Sequence, residues 1–420
     1  MSSMISKSLL RAMAIALDNE RPVDWQLRQF FKSHPALGRR DRGLIADTLF
    51  DVLRNRRLYA HLAQGGSGTL ERRLWLLSWS WPKRKPSNDA HAQIDATERV
   101  WLERVLQIDV DSLPAAVALS VPDWVYQKML VCGGEAATRS VLTALLRSAP
   151  LDLRVNTQKA TTEQVLESLR LAGIAVHALP SVPGALRVPG KPALENTAAF
   201  EQGWFEVQDV GSQILSYVAA PKRGQIVVDF CAGAGGKSLA MGALMRDSGQ
   251  LFACDVSLSR LQRLKPRLAR AGLSNIQPFA IDSERDPKLK RLAAKADVVL
   301  VDAPCSGLGT LRRNPDLKWR WQPSDIDELQ TKQLAILQAA AQLVKPGGVL
   351  VYATCSLLSE ENEVICQRFG QAQQQWQLES PGTVLAQAGI ELADATTPYV
   401  QLRPDRDDCD GFFAARWRRA

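Results

Sequence analysis

The stretch QIVVDFCAGAGGKSLAMGALM, residues 225–245, decides the fold. It opens on an apolar run, QIVVDF, with the look of a strand. It then passes through Gly233, Gly235 and Gly236 and closes on a helical pattern. Glycine between a strand and a helix lets the backbone take positive φ and lets a ligand approach the main chain. Asp255 ends the next apolar run, about twenty residues on, where such folds keep a carboxylate for a ribose diol. The layout is that of a Rossmann-type nucleotide site in an α/β sheet.

The ligand follows from what is missing. The strict GxGxxG of a dinucleotide site is absent, and GGKS fails as a P-loop because Cys231 stands where a glycine is needed. S-adenosylmethionine (SAM) has a ribose diol and an amino-acid tail but no phosphate, and it fits this turn better than NAD or a nucleoside triphosphate. Alone, the glycines would equally serve a tight strand-to-helix turn. Asp255, with Asp282 in IDSER after the third strand, moves the reading to a cofactor site.

Outward from this turn, SGQLFACD, ADVVLVD and GGVLVYAT are continuous apolar runs of the kind buried on both faces of a mostly parallel sheet. The sheet domain is expected over 206–420, with GFFAARW as a last edge strand. Residues 146–205 read as a small α+β insert: LDLRVNT and ALRVPG as strands, and TTEQVLESLRLAGI as a helix capped by Thr161 or Thr162. Residues 1–145 read as helical, with Ile5, Leu9, Leu10, Met13 and Leu17 at helical spacing and breakers at GGSG (65–68) and WPKRKPSND (81–89).

The chain has 420 residues, a net charge of +8 and a pI near 9.2, a mild excess of base that suits a polyanionic partner. Arginines cluster at 39, 40 and 42, at 54, 56 and 57, and at 72 and 73. Each cluster alone reads as a solvated face; together they suggest an RNA-contacting surface. Seven cysteines without CxxC, and four histidines, argue against a disulfide framework or a zinc site. No metal is expected, and free thiols point to a reducing compartment, the cytoplasm. Lys7, Arg11 and Asp18 interrupt the N-terminal apolar residues, which excludes a signal peptide or membrane span there.

Two further stretches carry the chemistry. VDAPCSGLGTLRRNPDLKWRW (301–321) and VYATCSLLSEENE (351–363) each run from an apolar strand into a Cys-Ser pair. A lone cysteine is usually a small hydrophobe, and Cys132, Cys231, Cys254, Cys366 and Cys409 are read so. Cys305 and Cys355 instead stand at the carboxyl edge of the expected sheet, where α/β proteins place their ligands. Cytosine gives such a pair a use. A thiolate adding at C6 makes C5 nucleophilic enough to take a methyl group; a second cysteine can help release the product, and a carboxyl group can select the base. Arg312, Arg313, Lys318 and Arg320 beside Trp319 and Trp321 suit phosphates and an unstacked base, with the alternative that the tryptophans are core.

These residues resemble the Sun/Fmu family of RNA 5-methylcytosine methyltransferases, and most closely its small-subunit rRNA group. The matching pieces are LDLRVNT, FEVQDVGSQ, VDFCAGAGGKS, VDAPCSGLGTLRRNPDLKW, LVYATCS with EEN, and DGFF, in order over about 150–420. The resemblance implies a class I SAM-dependent methyltransferase sheet and a helical, NusB-like RNA-binding N-terminal domain. It implies Cys355 as nucleophile, Cys305 as release cysteine, Asp302 as a carboxylate contacting SAM or the base, and Lys237 near the substrate. The SAM loop would be Cys231, Ala232, Gly233, Ala234, Gly235, Gly236 and Lys237, with Asp255 on the ribose and Asp282 by the adenine. Two motifs depart from the family: CAGAGGK stands for CAAPGGK, and IDS for GDA. The expected substrate is small-subunit rRNA, since no further RNA-binding module follows the sheet, and a monomer is expected. A tRNA cytosine methyltransferase, a non-catalytic assembly factor and a Cys305–Cys355 redox protein are the alternatives.

Overall fold

The computed structural model describes residues 3–18, 20–81, 94–394 and 397–420. The breaker expected after Trp81 therefore lies outside the described residues. The chain divides into two compact units: Met1–Ser148 with Thr310–Pro323, and Ala149–Gly309 with Ser324–Ala420.

The first unit is helical. Helices Ser3–Leu17, Val23–Ser33, Arg39–Arg54, Arg56–Leu62, Leu70–Ser80 and Ala96–Leu106 bury one shared core, including Leu9, Met13, Ile45, Leu49, Tyr59 and Trp75. Side-chain caps start two of them: Thr69 accepts from the Arg72 amide, and Asp95 and Glu98 cap reciprocally. The expected arginine surface is largely spent inside this unit. Arg54 is buried, Arg57 pairs with Asp123 at 2.9 Å, Arg72 pairs with Glu98, and Arg73 binds the Ala63 and Gly66 carbonyls. Arg39 and Arg40 remain exposed.

The segment Thr310–Pro323 belongs to the same helical unit, and for two of its four cations this corrects the expectation that they face RNA; Arg313 and Arg320 are half-buried. Arg312 and Lys318 are buried. Lys318 Nζ donates to the Arg54 carbonyl at 2.8 Å, Trp319 Nε1 to the Leu53 carbonyl at 2.7 Å, and Arg54 to the Arg312 carbonyl at 3.0 Å. Burial, then the neighbouring Arg54 charge, pushes the Lys318 pKa well below the ordinary lysine value. Cys132, read as a core residue, is exposed. It lies on Asp123–Leu145, just before Gly134 (φ 71°) breaks the helix, in an exposed run.

The second unit holds two sheets. The smaller runs β2-β3-β1-β4, from β1 (Leu151–Val155), β2 (His177–Ala178), β3 (Ala185–Val188) and β4 (Phe205–Val207), all antiparallel. Thr161 caps its helix Thr162–Leu171 with Gln164 completing the box. The larger sheet contains β5 (Ile226–Asp229), β6 (Gln250–Asp255), β7 (Ile276–Ala280), β8 (Ala296–Asp302), β9 (Val344–Thr354), β10 (Trp376–Glu379), β11 (Tyr399–Leu402) and β12 (Phe412–Arg419). Its order is β10-β12-β9-β8-β5-β6-β7, with β11 also on β12. β7, β6, β5, β8 and β9 are parallel, and the last strands run antiparallel. This is the expected Rossmann-like sheet, buried on both faces by separate apolar clusters.

One strand differs from expectation. GFFAARW is not an edge: β12 pairs with β9 on one side and with β10 and β11 on the other. Its run of buried residues from Phe412 to Trp417 is the burial of an interior strand. Among the described residues no helix is long and apolar enough to cross a membrane, and no group of His, Cys, Asp and Glu could hold a metal.

Candidate active site

Four parallel strands end on the residues that matter. β5 closes at Asp229, β6 at Asp255, β8 at Asp302, and β9 at Thr354 just before Cys355. β6 lies on one side of β5 and β8 on the other, so the chain reverses its strand order at the glycine turn. Open α/β sheets bind ligands outside the carboxyl ends of strands at such a switch point.

The turn itself is tightly built. The Ala232 amide donates to the Cys254 carbonyl and the Gly235 amide to the Ala232 carbonyl, both at 2.8 Å. Gly235 has φ 80°, and a Cβ there would lie 2.2 Å from Leu264 Cδ1, so both backbone and space demand glycine. A Cβ on Gly233 would meet nothing within 4 Å, which leaves open room above the turn. Asp255, nearly buried, accepts from the Gly233 amide at 2.8 Å and the Ser257 amide at 2.7 Å. Asp282 is not drawn into this cluster. Its carboxylate is 93% exposed, 3.8 Å from Lys288, although the Ile281 amide just before it reaches the Asp255 carbonyl at 3.2 Å. Burial raises the Cys231 thiol well above its ordinary value, in keeping with a packed, unreactive cysteine.

Asp229 escaped the sequence reading. It is buried, and Ser238 Oγ donates to its Oδ2 at 2.6 Å while Oδ1 has no hydrogen-bond partner. Burial pushes its pKa up to about 7. An orphaned buried carboxylate oxygen beside a glycine turn is a polar group waiting for a donor.

Lys237 and Asp302 form an ion pair at 2.7 Å. Burial would lower the Lys237 pKa, but the Asp302 charge and hydrogen bond outweigh it and leave the ammonium above its ordinary value. Lys237 Nζ also lies 5.6 Å from the centre of the Phe412 ring, a cation–π contact. Cys305 and Cys355, fifty residues apart, meet with their sulfurs 3.3 Å apart. The contact with Cys355, then burial, pushes the Cys305 thiol well above its ordinary value. All seven cysteines are free thiols.

The serines after both cysteines converge as well. Ser306 and Ser356 each donate from Oγ to Glu361 Oε2 at 2.5 Å, and the Ser306 amide donates to Glu361 Oε1 at 2.8 Å. In the sequence Glu361 stands out only as part of the EEN that follows LVYATCS. The repeated Cys-Ser was the signal for a shared partner.

Near the end of the chain, the Gly411 amide donates to the Gly309 carbonyl, and the Gly309 amide to the Cys355 carbonyl, both at 2.8 Å. Gly309 thus joins the loop after Cys305 both to the DGFF motif and to the loop carrying Cys355.

Most of the chain is similar to known proteins. Residues 216–418 match the family described as 16S rRNA methyltransferase RsmB/F, and residues 121–195 the ferredoxin-like domain described as RsmF/B-like. The "Probable ribosomal RNA small subunit methyltransferase B" of Synechocystis sp. is 36% identical over 314 residues, 74% of this chain and 70% of that protein. "Ribosomal RNA small subunit methyltransferase B" of Erwinia tasmaniensis is 35% identical over 295 residues, 70% of this chain and 65%, just under two thirds, of the relative. The crystal structure of PH0851 superposes with a TM-score of 0.79 at 25% identity, covering 99% of both chains. The chain belongs to the RsmB/F family of 16S rRNA methyltransferases.

Proposed function

We propose that this methyltransferase transfers a methyl group from SAM to C5 of a cytosine in small-subunit rRNA, through a covalent bond between Cys355 and C6. The observation that carries the reading is the Cys305–Cys355 pair, 3.3 Å apart at the carboxyl edge of the sheet. The SAM assignment rests on the turn: open space over Gly233, a ribose-side carboxylate in Asp255, and the unpartnered Asp229 Oδ1, which suits an ammonium. Residues 231–237, Asp255 and Asp302 would hold the cofactor, with Asp282 at its outer, exposed rim. Bound there, SAM supplies an electrophilic methyl group on a sulfonium.

The chain's own residues would then act in sequence. The Cys355 thiolate adds to C6, and the electron pair of the C5–C6 double bond moves to C5. Asp302, held by Lys237, orients the base through its polar edge. Once C5 carries the methyl group, Cys305 takes the C5 proton, the pair returns to the C5–C6 bond, and the Cys355 sulfur leaves as thiolate. Cys305 is kept protonated chiefly by its neighbour Cys355. When Cys355 is bonded to C6 that hydrogen bond is lost, which removes the largest cause holding the Cys305 thiol up; Cys305 then gives its proton to solvent before it takes the one at C5. The target must be single-stranded or flipped out for a thiol to reach C6. We take the enzyme to act in the cytoplasm and as a monomer; seven cysteines without CxxC spacing suit a reducing compartment.

A trapping experiment tests this. Wild type, Cys305→Ala and Cys355→Ala are incubated with cellular rRNA and SAM and run on denaturing gels. Cys305→Ala is expected to form an SDS-resistant protein–RNA adduct, because attack proceeds and release stalls; Cys355→Ala is expected to form none. Sequencing the trapped RNA names the nucleotide, and tRNA in place of rRNA would reassign the substrate. No adduct in any variant, with no methyl transfer by wild type, would favour a non-catalytic assembly factor.

A further inference from the structure

Both cysteines sit on loops, and loops are poor at holding atoms to a fraction of an ångström. Two chemical steps on one small ring nevertheless require both sulfurs in fixed places. The structure resolves this with a buried carboxylate. Glu361 is fully buried, and all four of its acceptor positions are used: Oε1 takes the Ser306 amide at 2.8 Å and Gln333 Nε2 at 2.9 Å, while Oε2 takes the Ser306 and Ser356 hydroxyls, each at 2.5 Å. Gln333 also donates to the carbonyl of Pro304, the residue before Cys305, at 3.0 Å. The Cys305 loop is thus tied on both sides of the cysteine to one carboxylate.

The Cys355 loop depends on Glu361 far less. Thr354 Oγ1 donates to Asn362 Oδ1 at 2.5 Å, Asn362 Nδ2 to the Ser356 carbonyl at 3.0 Å, and the Ser356 amide back to Thr354 Oγ1 at 3.2 Å. These bonds brace Cys355 from both neighbours without Glu361. The asymmetry has a chemical meaning. We propose that Glu361 is a positioning residue for the release step: it holds Cys305 in place, while Asn362 holds the nucleophile Cys355. This inference rests on the covalent cytosine reading above.

Glu361→Asp keeps the charge but is one methylene short of both loops. It is expected to lower turnover about tenfold or more, since small displacements of a reacting group cost that much or worse. Attack should survive, so the variant should accumulate SDS-resistant adduct on unmodified rRNA as Cys305→Ala does, with RNA retention on filters unchanged within about twofold. Glu361→Gln should restore turnover: its carbonyl can accept the two N–H donors while its NH2 faces the two hydroxyls, which can rotate to accept. A residue that only stabilised the fold would lose adduct and turnover together.

Adduct at wild-type levels in Glu361→Asp, with or without loss of turnover, overturns the inference. Should Glu361→Asp fail to fold, Ser306→Ala decides in its place. It removes one bond to the clamp and should raise the adduct fraction, whereas a wild-type fraction sinks the idea. Cys305→Ala runs alongside as the control: if it traps nothing, the cysteine roles themselves fail, and with them the clamp.

Discussion

Asp229 shows what a single residue can carry without being read from the sequence. In the run QIVVDF it looks like one more strand residue, yet its carboxyl group lies buried with one oxygen unpartnered. Its pKa is raised from 3.8 to about 7, mainly by burial. Because the folded value is the higher one, the native state holds a proton that the unfolded chain releases. The stabilising contribution is complete below pH 3.8 and fades as pH rises to about 7. At full ionisation the shift corresponds to about 4 kcal/mol. Free of ligand, the protein should therefore unfold at lower urea at pH 8 than at pH 5, and Asp229→Asn should shrink that difference. Equal pH dependence in the two proteins would contradict the assignment.

At the scale of elements, the two cysteine loops and the last strand form one piece. A Cβ on Gly309 would lie 2.2 Å from the Gly411 carbonyl oxygen and 2.8 Å from that of Cys355. Both neighbours are backbone, so neither can swing aside. Gly309→Ala should cost about 1–3 kcal/mol of stability and, made in the Cys305→Ala background, should reduce adduct formation, because it pushes directly on the Cys355 carbonyl. Thermal unfolding together with the trapping gel would test both halves. The same contact accounts for the glycine of DGFF, whose phenylalanines begin the interior strand β12. The β12–β9 pairing, Phe413 opposite Thr354, brings Gly411 to the Cys-Ser loops.

At the scale of the whole molecule, the basic surplus is not a map of the RNA surface. Arg54, Arg312 and Lys318 are buried within the helical unit, and Arg57 and Arg72 are paired there. The segment Thr310–Pro323 interrupts the catalytic chain between Gly309 and Ser324 and is counted with the helices. Trp319→Ala removes the bond to the Leu53 carbonyl and the contact with Arg56 at 5.7 Å from the ring centre. It should destabilise the helical unit by about 2 kcal/mol, less than a fully buried tryptophan. A calorimetric scan in which no transition moves would show that the segment does not hold the helices together.

The sequence by itself determined the sheet, the glycine turn, Asp255 and the pair of Cys-Ser dipeptides. Those are local signals: apolar runs of strand length, glycines where φ must be positive, and cysteines placed at strand ends. It also determined the family, because motif order survives along the chain. Only the tertiary structure decided that Cys305 and Cys355 touch, that Glu361 and Gln333 fasten one loop while Asn362 fastens the other, and that Asp229 is left with an unpaired oxygen. It also decided which arginines are spent inside, and that β12 is interior. Burial and partnership depend on residues far apart in the chain, and a charge or a thiol carries no mark of them in its own neighbourhood.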